Sequence, residues 1–369
     1  MGHLGTTKNA VFQALAERLN RNPVGAPPGE TLMRILHIMY TEPEAAIGSQ
    51  FPAGFVTIDK LSRLTGLSAD TLRGYLDGMA AKGLVMDIPR KDRVLYALSP
   101  LVIGFFEYTF MRVTDKLPLS ELADLFEQYH QQPGVAQEFF GADTKLFQTW
   151  AYESAMPGGL TTEVLDYEKA SAMIRDAGKG SLTMCYCRHQ ARHRGTACAA
   201  PVEDVCTSLG VAAEWLISRG FARPASADEL LRVLETTEKL GLVHLADNVQ
   251  NNPAFLCHCC GCCCGALRTI NEHGIAAVRP SNFISTVDVD KCSGCGLCTA
   301  SCHIHALSLS AGETAKKAMS DSQRCLGCGA CVRACPRHAI TLVHRETVHV
   351  PPKDKTEQML QIARERGKI

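Results

Sequence analysis

The distribution of cysteine is the feature that most constrains this chain. Eighteen of its 369 residues are cysteine, and all of them lie between Cys185 and Cys335. Several are crowded together, as in the run CHCCGCCC at 257–264. Such crowding suits convergence on a metal better than a disulfide framework. The chain therefore divides into a cysteine-free N-terminal half and a C-terminal half that is expected to bind metal.

The composition argues against several classes of protein. The 38 basic residues balance 38 acidic ones, so the whole chain has no net charge to attract nucleic acid or an anionic membrane. The longest clean apolar run, Leu101 to Phe106, falls well short of the roughly 20 residues that span a bilayer. The N-terminus lacks the pattern of a secretory signal. We expect a cytoplasmic protein of two or three domains without a membrane span.

A cysteine repeat occupies the C-terminal part. Residues 292–307 (CSGCGLCTASCHIHAL) align with residues 325–340 (CLGCGACVRACPRHAI), and each copy has the spacing C-x2-C-x2-C-x3-C. Three cysteines two apart can wrap one face of an iron–sulfur cube, while the fourth reaches the partner cluster. Over roughly 285–345 the chain resembles the bacterial two-cluster [4Fe-4S] ferredoxins.

This resemblance implies a ferredoxin-like domain, a β-α-β-β-α-β pseudo-repeat with two [4Fe-4S] clusters. One cluster would be held by Cys292, Cys295, Cys298 and Cys335, and the other by Cys325, Cys328, Cys331 and Cys302. The family's proline after the fourth cysteine is present as Pro336 but is replaced by His303 in the first repeat. We expect His303 to add a hydrogen-bond donor near its cluster. His305 and His338, like His303, are expected beside the clusters and not as ligands.

Ten further cysteines define a central module at 185–284, which we expect to be helical. They are Cys185, Cys187, Cys198, Cys206, Cys257, Cys259, Cys260, Cys262, Cys263 and Cys264. The favoured hypothesis is one or two further Fe–S clusters that use Cys187, Cys198 and Cys206 with thiols from 257–264. A second hypothesis is a metal-free redox site, because crowded cysteines of low pKa are reactive.

A third hypothesis for the central module is zinc. Cys185, Cys187, His189 and His193 form a plausible mixed ligand set, with the two histidines four apart on one helix face. Three arginines flank these histidines: Arg188, Arg192 and Arg194. The basic residues could instead balance the negative charge of a thiolate-ligated cluster, which we favour slightly over ligation.

The N-terminal half contains a helix–turn–helix pattern followed by a hairpin. A helix at 57–64 and a turn at 65–67 precede a helix capped by Ser68, and two strands follow at 84–98. This order resembles a winged-helix domain, which we assign to residues 1–115. A helical connector at 116–184 and a helical tail at 346–369 complete the predicted α+β multidomain protein.

The winged helix offers little for reading DNA. Arg73 and Lys82 of its second helix balance Asp70 and Asp77, and only Arg73 could read a guanine. The wing could contact phosphates through Arg90, Lys91 and Arg93. We therefore favour docking or homodimer formation over DNA binding.

Four segments carry a resemblance across almost the whole chain: GAPPGETLMRIL, PLVIGFFEYTFMR, CYCRH and CHCCGCCC. They resemble a family of proteins from anaerobes and sulfate reducers described as 4Fe-4S-binding, to which we attach no reaction. A weaker likeness is to the CCG domains of heterodisulfide reductase-type subunits, which build catalytic noncubane clusters. Here the CCG string occurs once and in a different spacing, so that activity is not transferred.

Together these features predict an iron–sulfur electron-transfer protein, or the electron-transfer subunit of an anaerobic oxidoreductase. Low-potential electrons would pass between the ferredoxin clusters and a central cysteine-ligated cluster, and a redox protein would be the partner. No Walker loop or Rossmann fingerprint offers a nucleotide cofactor. The alternatives are a redox-sensing winged-helix regulator and an Fe–S enzyme with a catalytic central cluster.

Overall fold

The computed structural model describes residues 3–157, 169–310 and 316–369, with side chains from residue 9 onward. A helical N-terminal unit, a central unit built on a sheet and a small unit with the cysteine repeat follow one another along the chain. Across these ranges, none of the helices has the length and apolarity needed to span a membrane. Part of the predicted helical connector, 158–168, lies outside the described residues.

The N-terminal unit begins with helices α1 (His3–Asn20), α2 (Glu30–Met39) and α3 (Glu42–Ser49), followed by α4 (Ile58–Thr65) and α5 (Ala69–Ala81). Strands β1 (Val56–Thr57), β2 (Val85–Arg90) and β3 (Arg93–Leu98) form an antiparallel sheet in the order β1-β3-β2. The Ser68 hydroxyl caps α5 by accepting from the Thr71 amide at 3.1 Å. Gly66, with φ of 72°, ends α4 in the left-handed conformation and turns the chain toward α5.

Three more helices complete this unit: α6 (Phe106–Phe110), α7 (Leu119–His130) and α8 (Pro133–Phe140). The Phe105, Phe110 and Phe126 side chains are fully buried among them. Burial of aromatic rings on this scale is a major source of stability. The same helices cover one side of the central unit, so they also form part of its interior.

The central unit is a seven-stranded sheet with helices packed around it. Its strands are β4 (Phe147–Trp150), β5 (Gly180–Thr183), β6 (Cys206–Leu209), β7 (Arg223–Ala225), β8 (Val243–Asp247), β9 (Phe255–Cys259) and β10 (Val278–Arg279). The strand order is β10-β4-β8-β9-β6-β5-β7, and only the β10–β4 pair is parallel. The helices are α9 (Ala170–Asp176), α10 (Tyr186–His193), α11 (Gly210–Ser218), α12 (Ala227–Lys239) and α13 (Gly265–His273).

The central module was predicted to be helical, but it is built on a sheet, and the predicted helical connector contains strands β4 and β5 as well as helices. The sheet crosses the predicted boundary at 184/185, because β4 and β5 precede it in the chain. Every residue of β8 and of β9 is buried. A strand covered on both faces has no alternation of polar and apolar residues to reveal it. The cysteine run at 257–264 thus begins inside a strand.

The cysteine repeat folds as β11 (Phe283–Val287), α14 (Leu297–Ala300), β12 (Leu307–Leu309), β13 (Ala318–Ser320), α15 (Ala330–Ala334) and β14 (Ile340–His344). Strand β11 pairs antiparallel with β14, and β12 pairs antiparallel with β13. The first strand of this unit therefore lies beside its last. This pairing brings the two cysteine copies to neighbouring positions.

The last helix, α16 (Lys355–Glu365), returns the chain to its beginning. The buried Gln358 amide donates to the Lys145 carbonyl at 3.0 Å and to the Asn248 carbonyl at 3.2 Å. Just beyond the helix, Lys368 Nζ donates to the Asn22 carbonyl at 2.8 Å. The C-terminal segment thereby binds both the central unit and the N-terminal unit.

Candidate metal centres

The first set of repeat cysteines lines one cavity. Cys292, Cys295, Cys298 and Cys335 line it together with loop glycines and larger side chains, among them Leu309 and Ile340. The loop can bend around this space because Gly294 has φ of 71° and Gly296 has φ of 78°. The Ala318 amide donates to Cys292 Sγ at 3.4 Å and lowers the pKa of that thiol. Backbone donors aimed at thiolates favour the charged form that metals bind.

The second set lines a separate cavity against the central sheet. Its cysteines are Cys302, Cys325, Cys328 and Cys331, and Val243 of β8 and His303 also touch the space. The Ala306 amide donates to Cys302 Sγ at 3.2 Å. Burial raises the pKa of the Cys328 thiol to about 12, so a bound cation is needed to hold it as a thiolate.

The ten central cysteines separate into two groups. Cys198, Cys260, Cys262 and Cys263, here called the outer tetrad, have their sulfur atoms within 4.8 Å of one another. Three of the Sγ–Sγ distances are 3.6 Å (Cys198–Cys260), 3.9 Å (Cys198–Cys263) and 3.6 Å (Cys262–Cys263). The hydrogen bond from Cys263 and the charge of Arg188 overcome burial and lower the pKa of Cys260 to about 4.

The other six cysteines, here called the inner hexad, are Cys185, Cys187, Cys206, Cys257, Cys259 and Cys264. They line one cavity beneath α10, next to Cys260 and Cys263 of the outer tetrad. Hydrogen bonds from Cys187 and Cys259 lower the pKa of Cys264 well below its ordinary value. The sequence hypothesis joined Cys198 with Cys187 and Cys206, whereas the structure gathers Cys198 with the outer tetrad.

A buried arginine faces this cavity. The Arg188 side chain is fully buried, and its guanidinium donates to the carbonyls of Pro201 at 2.7 Å and His258 at 3.0 Å. Its Nη1 also lies 3.8 Å from Cys260 Sγ, whereas Nη2 has no hydrogen-bond partner within the described residues. An uncompensated buried cation is costly. Arg188 and the cysteines around this cavity therefore fit a thiolate-bound metal group of net negative charge.

The mixed zinc set predicted from the sequence is not brought together. His189 Nδ1 lies 2.8 Å from the Phe110 carbonyl, and His193 Nδ1 lies 3.2 Å from the Ser120 hydroxyl. Among the described residues, the group whose ligand atoms converge contains only cysteines, and neither Cys185 nor Cys187 belongs to it. Both histidines pack against Phe110 and so belong to the interface with the N-terminal unit.

A second cavity adjoins the inner hexad from the N-terminal side. Cys187, Cys257, Cys259 and Cys264 line it, and so do Glu107, His130 and Tyr186. Burial raises the pKa of Glu107 to about 7 and lowers the pKa of His130 to about 4. His130 Nε2 is buried without a partner in the described residues. Sequence reasoning missed Glu107 and His130, because nothing in their local pattern distinguishes them from core helix residues.

His303 connects the repeat to the outer tetrad. It lines the cavity of the second cysteine set, but its ring nitrogens bond to the backbone and are not left to donate to a cluster, which was the expectation. Its Nδ1 accepts from the Gly261 amide at 3.2 Å, and its Nε2 lies 3.0 Å from the Gly241 carbonyl. Gly261 separates Cys260 from Cys262 in the sequence. Both ring nitrogens are therefore occupied by backbone groups of the central unit.

The comparisons with known proteins support the cysteine repeat. A family described as the 4Fe-4S dicluster domain matches residues 291–343. No curated protein and no solved structure matches the chain. The prediction of a two-cluster [4Fe-4S] domain is thus confirmed. The winged helix and the whole-chain resemblance stay predictions.

Proposed function

We propose that this protein is an electron-transfer protein or the electron-transfer subunit of an anaerobic oxidoreductase, in which the ferredoxin-type repeat exchanges electrons with a cluster in the inner hexad. The dicluster family match and the six cysteines of the inner hexad, which line one cavity, support an iron–sulfur electron-transfer role. A [4Fe-4S] cluster supplies one-electron chemistry at a potential tuned by its surroundings. The chain contributes the thiolates, the amide donors and the spacing between centres.

The cavity linings support a ligand set for each ferredoxin-type cluster. Cluster I would bind Cys292, Cys295, Cys298 and Cys335, and cluster II would bind Cys302, Cys325, Cys328 and Cys331. For the central cluster we propose Cys187, Cys257, Cys259 and Cys264, because these four line both neighbouring cavities. Cys185 and Cys206 touch only one of these cavities and are left as surplus thiols.

One observation carries the proposed electron route. Val243 lines the cavity of cluster II and is the residue directly opposite Cys259 in the β8–β9 pair. Opposite residues of an antiparallel pair project from the same face and have Cα atoms about 4.5–5.5 Å apart. The two proposed centres would therefore lie next to each other, because they contact neighbouring residues on the same face of the sheet. Electrons would enter at cluster I, where Cys295 is exposed to solvent, and would pass through cluster II to the central cluster.

The test is a count of iron and acid-labile sulfide on the full chain purified without oxygen, combined with a redox titration followed by electron paramagnetic resonance. We expect about 12 iron and about 12 sulfide per chain, the content of three clusters. Cys298→Ser, Cys331→Ser and Cys259→Ser should each lose the signal of one different cluster. Cys206→Ser is the matched control, because it removes a buried thiol of the inner hexad that is not a proposed ligand.

Two results would overturn this function. About 8 iron in the wild-type chain, unchanged in Cys259→Ser, would confine redox chemistry to the repeat. A central signal that does not change its redox state when clusters I and II are reduced would remove the route through Val243. Loss of iron in Cys206→Ser would overturn the central ligand set alone.

An Fe–S enzyme is the second candidate, and the cavity with Glu107 and His130 favours it. Two ionisable side chains there share a space with four thiols of the inner hexad. Such groups could deliver protons to a molecule bound beside the cluster. Cyanide, as a small iron ligand, tests this idea. A change confined to the central cluster's resonance signal supports an open site, and an unchanged signal argues against catalysis at this cluster.

For the winged-helix region we propose docking to the central unit and not DNA binding. Asp87 of β2 accepts from Trp215 Nε1 at 2.9 Å and from Arg219 Nε at 3.0 Å, both at the end of α11. Arg73, the one candidate base reader, is paired with Asp70 at 2.5 Å. Salt-sensitive binding to duplex DNA would contradict this proposal and favour the regulator. The redox partner, a homodimer and a cytoplasmic location stay predictions.

A further inference from the structure

We propose that the outer tetrad, Cys198, Cys260, Cys262 and Cys263, binds a single tetrahedral zinc ion and not an iron–sulfur cluster. The proposed electron route does not use these four cysteines, so the zinc site stands or falls separately from it. Its role would be to fix the cysteine loop of the central unit in the position that receives the ferredoxin-type repeat.

The spacing of the sulfur atoms carries the argument. Zinc–thiolate bonds are about 2.3 Å long, so the sulfurs of a tetrahedral site built from four cysteines lie about 3.8 Å apart. The observed Sγ–Sγ distances of 3.6, 3.9 and 3.6 Å lie close to this edge length. All four sulfurs fall within 4.8 Å of one another, so one ion can contact every member of the set.

The ferredoxin-type repeat provides an internal contrast. A cubane cluster places a separate iron behind each thiolate, so its four ligand sulfurs must spread around a larger body. The cysteines of clusters I and II are spread around two separate cavities in this way. Within the described parts of the chain, no three of them converge within 4.8 Å as the outer tetrad does. The same chain therefore shows two kinds of cysteine arrangement.

The ligand chemistry points to zinc in a structural role. The set has four protein thiols and no open position, as in structural zinc sites. Four thiolates and a divalent ion carry a net charge of about −2, and Arg188 Nη1 lies 3.8 Å from Cys260 Sγ to offset part of it. Cys262 is exposed, so the ion would have a short path of entry from solvent.

The position of the tetrad explains what the ion would organise. It joins Cys198, in the loop after α10, to the loop between β9 and α13. That loop contains Gly261, whose amide donates to His303 of the repeat. The ion would therefore hold the loop against which the repeat docks. Sequence separation hides this arrangement, since Cys198 lies 62 residues before Cys260.

Metal analysis and zinc K-edge X-ray absorption on the full chain test the proposal without a variant. We expect about one zinc per chain, with four sulfur neighbours at about 2.3 Å and no nitrogen. A first shell that contains nitrogen would assign the zinc to a mixed cysteine–histidine site and overturn the proposal. Absence of zinc, or a mononuclear ferric–thiolate spectrum in its place, would also overturn it.

Two serine variants separate the outer tetrad from the inner hexad. Cys262→Ser should reduce bound zinc at least fivefold and leave iron and sulfide unchanged. The matched control, Cys264→Ser, alters a neighbouring cysteine of the inner hexad and should reduce iron while zinc stays at about one per chain. Loss of about four iron in Cys262→Ser would instead assign a cluster to the tetrad. A low total of iron in the wild type would count against the electron route and not against the zinc site.

Discussion

The imidazole of His303 is held between two backbone groups of the central unit, with Nδ1 accepting from the Gly261 amide at 3.2 Å. Since Nδ1 accepts, the ring hydrogen sits on Nε2, which donates to the Gly241 carbonyl at 3.0 Å. A proline, the residue expected at this position, could make neither of these hydrogen bonds, because its side chain has no donor and no acceptor. The repeat is thereby fixed beside the cysteine loop.

Gly261→Ala should weaken the contact between the cysteine loop of the central unit and the cysteine repeat. An added Cβ would lie 2.2 Å from the His303 carbonyl oxygen, which is backbone and cannot move without shifting the repeat. We expect a loss of about 1–3 kcal/mol in the free energy of unfolding. Chemical denaturation of the anaerobic protein measures it. Gly74→Ala is the control, because a Cβ there meets nothing within 4 Å and should stabilise α5 by up to about 1 kcal/mol. Equal stability of Gly261→Ala and wild type would contradict the contact.

Arg188→Met should make the potential of the central cluster more negative. Arg188 lines the cavity of the inner hexad. Removing its buried positive charge therefore destabilises the reduced form of the central cluster, which is the more negative one. A change of about 1.4 kcal/mol corresponds to about 60 mV for one electron. A redox titration of the central signal measures the shift. Arg188→Lys keeps the charge and should shift the potential less, whereas equal shifts in both variants would point to packing as the cause.

Glu107→Gln should be more stable than the wild type above neutral pH. Burial raises the pKa of Glu107 to about 7, so the folded state holds a proton that the unfolded state has lost. The wild type therefore loses stability as the pH rises from about 4.5 to about 7, and Gln does not titrate. The full difference is about 3 kcal/mol, reached near pH 7.5 and constant above it. Denaturation curves from pH 5.5 to 8.5 measure it, and a difference that does not grow with pH would contradict the burial of this carboxyl.

Glu127→Gln should weaken the contact between the N-terminal and central units. Burial acts to raise the pKa of Glu127, but hydrogen bonds from Arg268 outweigh it and lower the pKa to about 2. Its carboxylate accepts from both Nη atoms of Arg268 on α13, at 2.9 and 2.7 Å. We expect a loss of about 1–3 kcal/mol at pH 7, measured by denaturation. Glu121→Gln on the same helix is the control and should change stability by less than about 0.5 kcal/mol.

The same pair fixes the direction of a pH effect. Because the folded pKa of Glu127 is depressed, its stabilisation is present above the unfolded value of about 4.5 and is lost as the pH falls toward about 2. The stability difference between wild type and Glu127→Gln should therefore shrink on acidification. A difference that grows below pH 4.5 would mean that the ion pair is not the source of the stabilisation.

The sequence was most informative where ligands are close in the chain. The spacing C-x2-C-x2-C-x3-C predicted the two-cluster domain because three ligands of each cluster come from one loop. The hypothesis also placed Cys198 and Cys206 with thiols from 257–264, and each lies beside a cysteine of that run, Cys260 and Cys257 respectively. Spacing did not show that these two cysteines belong to different groups, because their neighbours lie more than 50 residues away in the chain. The helical spacing of His189 and His193 was real, but both rings face Phe110 in the interior. Spacing along a helix does not show which neighbour the face meets.

The central sheet escaped prediction for a different reason. The burial of β8 and β9 on both faces removed the alternation by which strands are recognised. The intervening helices, α11 and α12, agree with the expectation that this module contains helices. Val243 could not be identified as a neighbour of Cys259 without the register of this sheet.

The return of the chain through α16 has a consequence for biogenesis. This helix is synthesised after all eighteen cysteines, yet Gln358 and Lys368 complete contacts of segments made much earlier. The N-terminal unit therefore reaches its final packing only after every metal-binding segment has left the ribosome.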